Sequence, residues 1–137
     1  MHILHLLHHS IPLDSAYSRR TKAILEQQAK LGWRTTQLTG CGQGLMRSAQ
    51  EEVDSMRFHR TAPLTFPLKS LPGINRLVEM WRLARQAGKI VSVTPPDIIH
   101  AHFPAQVGLP ALILKKRCRI PLVYEMQAYF GSSELDR

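Results

Sequence analysis

Cysteine is nearly missing from this chain. Cys41 and Cys118 stand far apart and form no C-x-x-C pair, so the sequence indicates neither a zinc knuckle nor a disulfide framework and fits a reducing cytoplasm. No apolar run approaches the length of a membrane span, so any membrane contact would be peripheral, at the inner face. The opening MHILHLLHHSIPL lacks the Lys or Arg and the small-residue cleavage site of a signal peptide and reads as a strand. The turn after it, HHSIPLDSAYSRRT, has no glycine, and the second strand ends on Thr39 rather than an acid. A dinucleotide fingerprint is therefore poorly supported. There is no G-x-x-x-x-G-K-[ST], which removes the P-loop class, and no G-x-S-x-G elbow. Acid is scarce too: 10 Asp+Glu against 18 Lys+Arg give +8, which favours an anionic partner such as a phosphorylated small molecule, nucleic acid or a lipid surface. The aromatics are not interleaved with the basic residues as a nucleic-acid stacking platform requires, which argues against a small basic module binding nucleic acid.

What is present is one domain, or part of one. A chain of 137 residues with 44% hydrophobic content is long enough for a real core and too short for two ordinary domains. Residues 1–7 form a short apolar run without helical spacing, as in a central strand buried on both faces. Asp14 or Ser15 can cap a helix with Tyr17, Ile24, Leu25, Gln28 and Leu31 on one face, ended by Gly32. Residues 33–39 read as a second strand, 41–54 as a polar connection with a short helical turn at 47–52, 56–60 as an edge strand and 62–72 as a loop. Apolar residues Leu77, Val78, Trp81, Ala84 and Val91 recur at helical spacing over 74–91 and are expected to pack on the sheet, with Arg82, Arg85 and Lys89 solvated beside them. A strand at 98–102, a helix to 117 and a strand at 121–124 complete the order. With right-handed crossovers this gives an α/β fold, a Rossmann-like parallel sheet with helices on both faces. Ser133 and Asp136 have the spacing of a capping box, so the chain is expected to stop in a helical turn and to be a truncated domain.

The stretch 95–128 carries the chemistry. Ligands of open parallel sheets sit beyond the carboxyl ends of the strands, and here those ends bear His100, His102 and Glu125. His100 and His102 share one strand face. His102, nearer the strand end, is the expected functional residue, and His100 the hydrogen-bonded core residue. A metal would want a further ligand, and with Glu125 the only nearby acid by topology no metal is expected. Arg19 and Arg20 lie in a first helical turn, where the macrodipole disfavours cations, and a local rule broken in this way points to function. With the hydroxyls of Ser18 and Thr21 and the free backbone N–H groups they would seat a phosphate or polyol; the alternative is that both arginines point into water.

The segments MHILHLLHHSIP, SAYSRRTKAIL, LGWRTTQLT, PDIIHAHFPAQVGLPAL and IPLVYEMQA together resemble the amino-terminal half of family 4 glycosyltransferases of the GT-B fold, most narrowly the exosortase-associated (PEP-CTERM system) exopolysaccharide enzymes. The resemblance implies a retaining enzyme in which this domain binds a glycan or lipid-linked acceptor. A carboxy-terminal domain, absent here, would hold most of a nucleotide-sugar co-substrate, with no other cofactor and no metal. It implies a catalytic role for His102 beside the donor sugar and its phosphates. Substrate binding falls to Ser15, Tyr17, Arg20, Thr21 and Glu125, with Ser18 and Arg19 as further phosphate contacts. The family's turn glycine is Ala16 here, which bears on how closely a phosphate approaches the backbone. The family's Glu-x₇-Glu segment is not in this chain, so the isolated chain is expected to be inactive. Its uncovered sheet edge and apolar surface are expected to pair into a homodimer.

Overall fold

The computed structural model describes residues 1–43 and 48–127. Among them six strands and three α-helices alternate: β1 (His2–Leu7), α1 (Ala16–Lys30), β2 (Arg34–Thr39), β3 (Gln50–Val53), β4 (Met56–Arg60), α2 (Ile74–Val93), β5 (Ile98–His102), α3 (Ala105–Cys118) and β6 (Leu122–Glu125). The sheet order is β3-β4-β2-β1-β5-β6. Every pairing is parallel except β3 with β4. The order reverses beside β1, so the crevice of a doubly wound sheet lies beyond the carboxyl ends of β1, β2 and β5.

The alternation of β1 assigns the faces. Leu4 and Leu6 join Leu83, Ala87 and Val91 of α2 and Val107, Ala111 and Leu114 of α3 in the larger core. Leu7 points the other way, onto Leu25 of α1 and Phe58 of β4. Helices thus cover both faces, and all six residues of β1 are buried.

Three local expectations need correction. The buried stripe of α2 is Leu83, Ala87 and Val91, whereas Leu77 and Trp81 are 63% and 58% exposed. Rows four residues apart on α2 meet α3 and the Leu4–Leu6 side of β1; of the expected stripe Val91 is buried, and Leu77 and Trp81 are left outside. On α1 the buried residues are Ser18, Thr21 and Leu25, while Leu31 is exposed.

Third, β4 is not the edge. Gln50–Val53 adds an antiparallel edge strand through a two-residue hairpin in which Asp54 and Ser55 both have positive φ, 50° and 64°. Such turns normally advertise themselves with glycine; here Asp-Ser adopts the conformation without one. Part of the expected helical turn there, Arg47 included, lies outside the described residues, as does the capping-box segment with Ser133 and Asp136.

Candidate active site

The parallel register of β1 with β5 places His5 opposite His100, and that of β5 with β6 places His102 opposite Glu125. Odd residues of β1 and even residues of β5 face α1, so three imidazoles meet beneath this helix. His5 Nδ1 lies 3.0 Å from His102 Nε2, and His5 Nε2 lies 2.8 Å from Gln28 Oε1 on α1. The His100 and His102 rings stack at 4.1 Å between centroids, and Tyr17 stands edge-on to His102.

Glu125 closes this cluster toward solvent. Its Oε2 is 3.3 Å from His100 Nε2 and 3.2 Å from His102 Nδ1. Its Oε1 accepts from Arg20 Nε at 2.7 Å, with Arg20 Nη2 at 2.5 Å. Two guanidinium nitrogens thus share one carboxylate oxygen, a charge-assisted contact that holds it in place. The Arg20 side chain is 58% exposed and reaches the crevice from near the start of α1.

Burial dominates the titration of the group. It lowers His102 to about 2, helped by His100, His5 and Arg20. It lowers His5 to about 4, with His100 adding and the Gln28 bond opposing. His100 is lowered by burial against the pull of Glu125. The imidazoles are therefore neutral near pH 7, and their contacts with Glu125 are not ion pairs. Burial likewise raises the Tyr17 phenol, whose oxygen accepts the backbone N–H of His8 at 3.0 Å.

The burial order of the two β5 histidines is the reverse of the sequence expectation. His102, nearer the strand end, is 0% exposed, whereas His100 is half-buried. Tyr17 and the neighbouring rings lie over His102. Ser15 caps α1: its oxygen accepts the Ser18 N–H at 3.0 Å and contacts His9 Nε2 at 2.9 Å, and its O–H donates to Ser18 Oγ. Ser18 and Thr21 are buried, and Thr21 Oγ1 donates to the Tyr17 carbonyl. Arg19 pairs with Asp14 at 2.5 Å out in solvent. Of the expected residues, Tyr17, Arg20, His102 and Glu125 come together with His100, while Ser15 and Ser18 serve the cap and Arg19 points away. Ala16 sits in helical backbone without positive φ, a conformation that does not call for glycine.

Two features escaped sequence reasoning. His5 supplies a third imidazole, and nitrogens of His5, His100 and His102 lie within 4.8 Å of one another; three metal-type ligands are therefore present where two were expected, although two of those nitrogens already face each other. The signal was the apolar β1 interrupted by His at alternate-face spacing. The other is Arg60, fully buried at the end of β4. It donates to Ser10 Oγ at 2.5 Å, Gln43 Oε1 at 3.1 Å, the Ile11 carbonyl at 2.7 Å and Glu51 at 3.1 Å, pinning the loops that border the crevice. A groove of about 990 Å³ along the first half of β2 is lined by none of Arg20, His102 or Glu125. The carboxyl-end crevice, with its convergent polar groups, is the better candidate.

A family model described as a glycosyl transferase 4-like domain matches residues 15–136. The chain belongs to that family. No curated protein sequence matches it. Among solved structures, the calicheamicin glycosyltransferase CalG4 superposes with a TM-score of 0.55 at 15% identity, over 97% of this chain and 33% of its own. At that identity the likeness carries the fold alone, that of a GT-B glycosyltransferase fragment. The glycosyl transferase 4-like domain seen here thus spans about a third of the CalG4 chain.

Proposed function

We propose that this domain is the acceptor-side part of a retaining, nucleotide-sugar-dependent glycosyltransferase that builds polysaccharide, in the manner of the exosortase-associated enzymes. The observation that carries it is Arg20: a half-solvated guanidinium, anchored on Glu125 at the carboxyl end of the parallel sheet, in a chain of net charge +8. That is what a crevice receiving an anionic sugar donor needs. Transfer leaves negative charge on the departing diphosphate, and stabilising such charge is commonly the largest catalytic contribution. Arg20 supplies part of it. The rest is assigned to a carboxy-terminal domain that closes the cleft, so the chain alone is inactive.

In this reading Tyr17 and Thr21 shape the wall behind Arg20, and Glu125 borders the acceptor. His102, buried beneath them, acts through Glu125 rather than by touching sugar. The donor is a co-substrate, and neither a further cofactor nor a metal takes part, His5 Nδ1 and His102 Nε2 being engaged with each other and His5 Nε2 with Gln28. No helix among the described residues is long and apolar enough to cross a membrane. A peripheral seat on the cytoplasmic leaflet is favoured by exposed Ile74, Leu77 and Trp81, with Arg85 stacked over Trp81 at 5.3 Å. The sheet edge at β6, where Val123 and Tyr124 are exposed, is where the partner domain or a second copy would pack.

The test is transfer of a labelled sugar from a panel of nucleotide sugars by the full-length enzyme, with the anomeric configuration of the product read by NMR. Retained configuration, and a loss of at least tenfold in kcat/KM for Arg20→Ala, are expected. An inverted product refutes retention, and unchanged transfer by Arg20→Ala refutes the site. Transfer by the isolated chain would refute its inactivity.

A further inference from the structure

We propose that Gln28, His5, His102 and Glu125 form a one-way hydrogen-bond relay, each donating to the next, with His5 and His102 both protonated at Nδ1. Its output is the position of the Glu125 carboxylate that holds Arg20.

The proton count decides the direction. The links are Gln28 amide to His5 Nε2 at 2.8 Å, His5 Nδ1 to His102 Nε2 at 3.0 Å, and His102 Nδ1 to Glu125 Oε2 at 3.2 Å. A neutral imidazole has one donor and one acceptor nitrogen, so fixing one link fixes them all. If the Gln28 oxygen accepts, His5 carries its proton on Nε2, His102 on Nε2, and the bare Nδ1 of His102 meets a carboxylate oxygen lone pair to lone pair. That end can be repaired only with an extra proton, on a ring whose burial opposes charge or on Glu125 itself. With the amide turned over, which changes no shape because O and NH2 are of one size, the NH2 donates to His5 Nε2. His5 Nδ1–H then donates to His102 Nε2, and His102 Nδ1–H to Glu125. No lone pair faces another and no ring is charged.

His102 Nδ1 is buried and makes no hydrogen bond as placed, with Glu125 Oε2 3.2 Å away. Glu125 Oε2 is the acceptor within reach, and a small ring rotation aligns the bond. Leaving such a nitrogen unsatisfied carries a desolvation penalty that the relay removes. The lowered pKa values of His5 and His102 agree with neutral rings. The other groups around the relay are His100 stacked on His102, Tyr17 edge-on to it, and Arg20 beyond Glu125.

Glu125 Oε2 then receives His102 Nδ1–H and His100 Nε2, and Oε1 receives two N–H groups of Arg20. A carboxylate offers about four lone-pair sites, so this one is filled. It serves as an anchor rather than a base, and the remaining N–H groups of Arg20 are left for an anion in the crevice. His5 and Gln28 are positioning residues, two and three steps removed from the Glu125 carboxylate. Their effect on catalysis rests on the functional reading above; the relay itself rests on two hydrogen-bond contacts and on the 3.2 Å approach of an unpartnered His102 Nδ1 to Glu125.

The experiment is long-range 1H–15N correlation of the imidazole rings in the uniformly 15N-labelled whole chain at neutral pH. It should show His5 and His102 protonated at Nδ1 and bare at Nε2. Gln28→Glu replaces the donor by an acceptor and should move the His5 proton to Nε2. Wild-type His5 protonated at Nε2, or a His5 tautomer unmoved by Gln28→Glu, would overturn the relay, as would one equivalent of Zn2+ taking His5 and His102 as ligands in place of their mutual bond. If Gln28→Glu does not fold, the wild-type spectrum alone decides. The tautomers are read without any sugar transfer. A relay found in this direction beside a full-length enzyme that transfers no sugar supports the relay and removes only the functional reading. In an active enzyme, Gln28→Met should lower kcat about threefold to tenfold with smaller change in KM.

Discussion

Acid should unfold this protein early, and the buried histidines set how early. His5 and His102 have folded pKa values lowered to about 4 and about 2 from 6.5. A group whose folded pKa lies below its unfolded value binds its proton more readily when unfolded. Its folded state is therefore fully favoured above pH 6.5, and loses ground as pH falls from 6.5 toward the folded pKa. Each pH unit in that window removes about 1.4 kcal/mol per ring. Between pH 6.5 and 5 that is about 2 kcal/mol for each, or about 4 kcal/mol for the pair. Against a total stability on the order of 5–15 kcal/mol for a small domain, this is a large share. His8, His9, His59 and His100 are also lowered, mainly by burial, and act in the same direction. The assay is urea unfolding at pH 7.5, 6.5, 5.5 and 5.0. Below pH 6 the slope of stability against pH should correspond to at least two protons taken up on unfolding, and His102→Gln should reduce it by one. A stability that stays flat or rises between pH 7.5 and 5 would refute the neutral buried cluster.

Arg60→Met removes a buried guanidinium from its several acceptors; a cost of about 3–5 kcal/mol is expected by chemical denaturation, far above that of a surface arginine. Leu83→Ala, a core truncation on α2, should cost about 2–5 kcal/mol, whereas Trp81→Ala on the same helix should change stability by about 0.5 kcal/mol or less because the ring is exposed. The same Trp81→Ala variant should weaken binding to vesicles containing anionic lipid in a sedimentation assay, and equal binding would remove the peripheral membrane seat. In the full-length enzyme, Glu125→Gln loosens Arg20; kcat/KM is expected to fall about tenfold to a hundredfold, and a KM effect alone would show that Arg20 binds without favouring the transition state.

Much of the fold is legible because its periodicities are local. The apolar β1, the Ser15 cap, the helix over 74–91 and the strand–helix–strand around His102 each follow from residues a few positions apart. The β3–β4 hairpin escaped because Asp54-Ser55 carries no glycine signal, and the buried faces of α1 and α2 because small or evenly mixed stripes leave the choice to the partner surface. At the site, Arg20 and Glu125 are legible from their places at a helix start and a strand end.

The sequence by itself determined the order of the elements apart from β3, the parallel part of the sheet and the polar residues at its carboxyl ends, since alternation, capping and crossover handedness are written within short segments. Only the tertiary structure decided which of those polar groups meet. His5 reaches His102, and Arg20 reaches Glu125, through strand register and the seating of α1, between residues far apart in the chain. The same packing reversed the burial of His100 and His102, because exposure belongs to what lies on top of a side chain, and here Tyr17 and the neighbouring imidazoles lie over His102.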